Sequence, residues 1–77
     1  MEKEDIIELV RREVVKEFGE SRIREIKAFG PYECEDLNVV VLVEGIKDRK
    51  ETYKVHSRLF DMLDELGLDV PLAIMNA

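Results

Sequence analysis

LNVVVLV, residues Leu37 to Val43, is the most strongly patterned stretch of this 77-residue chain. Six of its seven residues are apolar and four are β-branched valines. It is too short for a helix and is bounded by Glu35-Asp36 on one side and Glu44-Gly45 on the other. A continuous run of this kind predicts a strand covered on both faces.

Downstream, Asp48 and Glu51 stand three apart, the spacing of a capping box, and open a helix predicted over roughly 49–66. Val55, Leu59, Met62, Leu63 and Leu66 form its core stripe, and Gly67 ends it. Val70, Leu72 and Ile74 then alternate as a last short strand. Pro71 lacks a backbone donor, which assigns that strand to a sheet edge. Upstream, Gly30-Pro31 breaks a strand read over Ile23 to Phe29, with Ile26 and Ala28 on one face and Ile23 and Phe29 on the other. Before it, Ile6, Val10, Val14 and Phe18 recur every four residues, giving an amphipathic helix over roughly 4–18. Asp5 and Glu8 are its predicted cap, Glu8 and Arg12 a supporting pair, and Gly19 its stop.

The order is α-β-β-α-β, an α/β (α+β) arrangement forming a single domain over 1–77. The short link between the first two strands allows an antiparallel pair, and the later helix implies a right-handed parallel crossover. The expected product is a mixed three-stranded sheet with 37–43 in the middle and both helices packed on it.

Composition narrows the function. A chain this short sits near the lower limit for an independent core, and it has no staple: Cys34 is alone, and no Cys/His set has metal-ligand spacing. An efficient core, a protein partner or a homo-oligomer must supply the rest. Charged residues make up 39 %, with Lys and Glu prominent, a bias associated with proteins of hot environments. The net charge of −6 disfavours nucleic acid and membrane surfaces. No apolar stretch approaches bilayer length and MEKEDIIEL does not read as a signal peptide, so a cytoplasmic location is expected.

Side chains two apart on a strand share a face, so Asp36 and Asn38 are expected to project together at the entrance to the central strand. Paired carboxylates placed there would hold divalent metal, but here one is an amide. The simpler reading is a polar pair capping the strand entrance. His56 falls at the border of the second helix's apolar stripe and has no assignable relay partner. Cys34 lies among acids that disfavour its thiolate. Lys47, Lys50, Lys54 and Arg58, spaced three, four and four, would form a basic stripe on the exposed side of that helix.

The run IREIKAFGPYECEDLNVVVLVEG (23–45) and the tail LFDMLDELGLDVPLAIMNA (59–77) resemble minimal nucleotidyltransferases of the polymerase-β superfamily. That resemblance makes Gly30, Asp36 and Asn38 a vestigial nucleotide-binding set, with Asp36 as the matching metal ligand. Pro31 replaces the expected Ser, Asn38 the second carboxylate and Pro71 the third. The implied function is an inactive nucleotidyltransferase-like domain that binds a nucleotide or a protein partner. Magnesium belongs to it only if the site is active, as a metal-dependent enzyme drawing a further carboxylate from Glu35 or Asp69. A nucleic-acid-binding module of KH type II or BolA-like topology is the alternative, supported by the element order and by VHSRLFDMLDEL (55–66).

Overall fold

The structure is a computed structural model and describes residues 2–30 and 36–77. Helix α1 spans Lys3–Phe18, a 3-10 turn covers Glu20–Arg22, and strands β1 (Ile23–Phe29) and β2 (Asn38–Val43) follow. Helix α2 (Lys50–Glu65) then leads to β3 (Leu72–Asn76). The sheet order is β1-β2-β3, with β1 antiparallel and β3 parallel to the central β2. The expected α-β-β-α-β order and mixed sheet are therefore observed.

Both helices lie on one face of the sheet. Ile6, Leu9, Val10 and Val14 of α1 and Val55, Leu59 and Leu63 of α2 enclose Val39, Val41 and Val43. The other face has no covering element among the described residues. Val40 and Leu42 are therefore only half-buried, which corrects the expectation of a strand covered on both faces. The reason is chemical: β2 uses Val and Leu on both sides, so the period of two that marks one-sided burial is absent from its sequence.

The cap of α1 also differs in position. The helix starts before Asp5, whose carboxylate sits at the third helical position and accepts the Glu2 N–H at 3.1 Å. Gly19, at φ 87°, ends it as expected. In β1, the register slips between Ile23 and Glu25, leaving Arg24 in a bulge where it pairs with Glu44. The bulge turns Ile23 onto the helix-covered side opposite Val43, so it joins Ile26 and Ala28 and parts from Phe29. At the α2 entrance, Glu51 accepts the Lys47 and Asp48 N–H groups at 2.7 and 3.2 Å, while Asp48 accepts the Lys50 N–H at 3.0 Å. Arg22, the last residue of the 3-10 turn ahead of β1, fastens this entrance by donating to the Glu44 and Gly45 carbonyls at 3.0 Å each.

Candidate functional site

The entrance ends of β2 and β3 and the exit of β1 meet at one end of the sheet, because β1 runs opposite to the other two. Gly30, Asp36 and Asn38 are gathered there by topology. Asp36 has a definite task. Its N–H donates to the Asp69 carbonyl at 2.8 Å, and its carboxylate accepts the Asp69 N–H at 2.6 Å. This two-way clamp ties the segment entering β2 to the segment entering β3, and Val39 extends it by donating to the Pro71 carbonyl at 2.9 Å.

Asn38 pairs with Phe29 in the β1–β2 register and is half-buried on the uncovered side of the sheet. Gly30 takes φ 83°, a left-handed conformation that favours glycine. Pro31, Glu33, Cys34 and Glu35 lie outside the described residues. Among the described residues, no group of three His, Cys, Asp or Glu converges to hold a metal ion. Asp36, the ligand drawn from the resemblance, accepts a backbone N–H with one carboxylate oxygen.

Beside the clamp lies a cleft of about 580 Å³ between the second half of α2 and residues 67–72. Phe60, 62 % exposed, forms one wall, and Leu68, Pro71 and Leu72 form the other. Asp64 and Asp69 add carboxylates to the lining. His56 Nε2 lies 2.7 Å from the Leu72 carbonyl. A carbonyl can only accept, so Nε2 carries the proton. The ring thereby fixes α2 to the first residue of β3. This places His56 where its border position in the apolar stripe put it, with a backbone partner sixteen residues away.

The basic residues are dispersed at the other end and flank. Lys47 precedes α2 instead of lying on it, and its amide is bonded to Glu51. Lys50 and Lys54 are exposed. Arg58 turns into the contact between the helices, donating from Nε to Glu13 Oε1 at 3.0 Å. The four therefore do not line one exposed face, because Arg58 answers a carboxylate buried on α1. Glu13 is only 4 % exposed, and Arg12 and Lys16 stand 3.7 and 3.8 Å from it. Its apolar neighbours Leu9, Val10 and Val14 share that side of α1, which was the available sign that Glu13 faces inward.

The cleft itself was missed. Phe60 falls outside the core stripe of α2, and nothing local connects it to residues 68–72. Comparison with known proteins finds no matching family model, no matching characterised protein and no matching solved structure.

Proposed function

We propose that this domain is a protein-interaction module on a degenerate nucleotidyltransferase-like scaffold. Its site is the cleft between α2 and β3, which takes a partner segment carrying an apolar anchor next to Lys or Arg. The observation that supports this reading is the make-up of the cleft: Phe60, Leu68 and Pro71 offer apolar contact, while Asp64 and Asp69 add negative charge on a molecule already at −6. Free phosphate is disfavoured there by the same charges. Asp36 acts as a strand tie in this account, and the lone cysteine fits a reducing, cytoplasmic setting.

The test is an amide-resolved NMR titration with a short Leu/Lys peptide, its Leu/Glu counterpart, and each of ATP, GTP, CTP and UTP with magnesium. The Leu/Lys peptide is expected to shift His56, Phe60, Leu68 and Asp69, and the Leu/Glu peptide to leave them unmoved. Asp64→Lys should weaken the first peptide by several-fold, as expected for a charge pair at a partly exposed rim. Nucleotide-induced shifts at Gly30, Asp36 and Asn38 with a silent cleft would overturn the proposal in favour of nucleotide binding.

A further inference from the structure

The uncovered face of the sheet carries two cross-strand rows that mix apolar side chains with one charge each. Register partners share a face, so Lys27, Val40 and Ala73 form one row across the three strands, and Glu25, Leu42 and Met75 form a second. Between them runs the row Ile26, Val41 and Ile74, which points to the helices. Lys27 and Glu25 cancel each other's charge, with Nζ to Oε2 at 3.8 Å. These two rows are thus neutral on a molecule of net charge −6. Met75 is 53 % exposed, and Phe29, on the same side, is 43 % exposed.

We infer that a second copy of this chain covers this face, giving a four-layer helix–sheet–sheet–helix dimer. The argument is the complementarity of the two rows under a two-fold axis. Place the axis between two facing sheets, parallel to the Ile26–Val41–Ile74 row. Each row then lies over the other row of the partner copy. Glu25 meets Lys27 of the second copy, Leu42 meets Val40, and Met75 meets Ala73. The first contact pairs opposite charges; the other two set a larger side chain over a smaller one, the alternation that lets two layers interdigitate. Facing sheets stand about 10 Å apart, a gap that side chains from both sides fill. The axis makes each contact occur twice, as a two-fold interface requires. Charge directs the same choice. Two copies at −6 repel through most orientations, and the neutral face offers an approach with little local repulsion.

The test is sedimentation velocity on the full chain from about 10 µM to about 1 mM, a range that resolves micromolar association. The parent is expected to dimerise, and Met75→Lys to abolish the dimer by placing two like charges in the apolar rows. Glu25→Lys alone gives a copy with two cations on the rows, and Lys27→Glu alone gives one with two anions. Each by itself should associate about tenfold more weakly. Mixed one to one, they should recover a heterodimer, since every charged contact is then opposite in sign. Circular dichroism checks that each variant folds. A parent monomeric at the highest concentration overturns the inference, and so does a dimer indifferent to Met75→Lys. Failure of the two charge variants to prefer each other removes the stated axis.

Discussion

At the scale of single residues, the described residues include one buried carboxylate, a group rarely buried unless it is paired. Glu13 is held there by Arg58 from the other helix, with Arg12 and Lys16 further out. A buried charge is tolerated when it is paired and hydrogen-bonded, and removing its partner costs more than the pair contributes. Glu13→Gln keeps the shape and leaves Arg58 without its counter-charge. Arg58 is 37 % exposed and can regain some water, which limits the loss to about 1–3 kcal/mol. Urea unfolding of the single variant and of Glu13→Leu with Arg58→Leu would measure it. The double variant should recover much of that loss, since an apolar pair in the same contact carries no desolvation cost. A single variant as stable as the parent would mean that the ion pair is only tolerated.

At the scale of elements, both helices and all three strands were readable in the sequence because their signals are local. The period of α1 and α2, Gly19 and Gly67 as stops, and Pro71 ahead of an edge strand need no long-range information. What was not readable depended on distant partners. The Asp36–Asp69 clamp spans thirty-three residues, and the bulge at Arg24 is tied to Glu44 across the sheet. The cap of α1 moved too, by three residues from Asp5 to Glu2, while keeping an acidic pair three apart. The entrance to α2 shows what such a cap contributes. The Lys47 and Asp48 amides, then Arg22 nearby, hold the Glu51 carboxyl below its ordinary value of 4.5. A carboxyl with a depressed folded-state pKa contributes stability above its unfolded value and loses it as pH falls through the folded value. Glu51→Gln should therefore lower the melting temperature at neutral pH, and the gap should close below 4.5. Thermal melts of both proteins down the acid range would show this. A gap that stays constant would assign the effect to packing instead of charge.

At the scale of the whole molecule, an acidic surplus of six charges is spread over a body of 32 × 20 × 18 Å. Electrostatic screening sets how much of that surplus is felt. The Debye length falls from about 30 Å at 0.01 M salt to about 8 Å at 0.15 M. At the lower salt concentration each charge feels nearly every other one, and the net repulsion opposes the compact state. At the higher salt concentration only near neighbours remain, the ion pairs among them. The two effects have opposite signs. Screening relieves the long-range repulsion, while it weakens exposed pairs such as Arg24–Glu44 and barely touches the buried Glu13–Arg58 contact. Exposed pairs contribute about 0–1 kcal/mol each, so the relief of repulsion should dominate. The melting temperature is expected to rise across that salt range, measured at a dilution where the chain is monomeric. At higher protein concentration, association through the neutral sheet face should add a second rise, because binding that favours the folded state stabilises it by mass action. Met75→Lys should remove the concentration-dependent part and leave the salt-dependent part in place. A melting temperature that falls with salt would instead mean that the local pairs, and not the net charge, dominate the electrostatics of this fold.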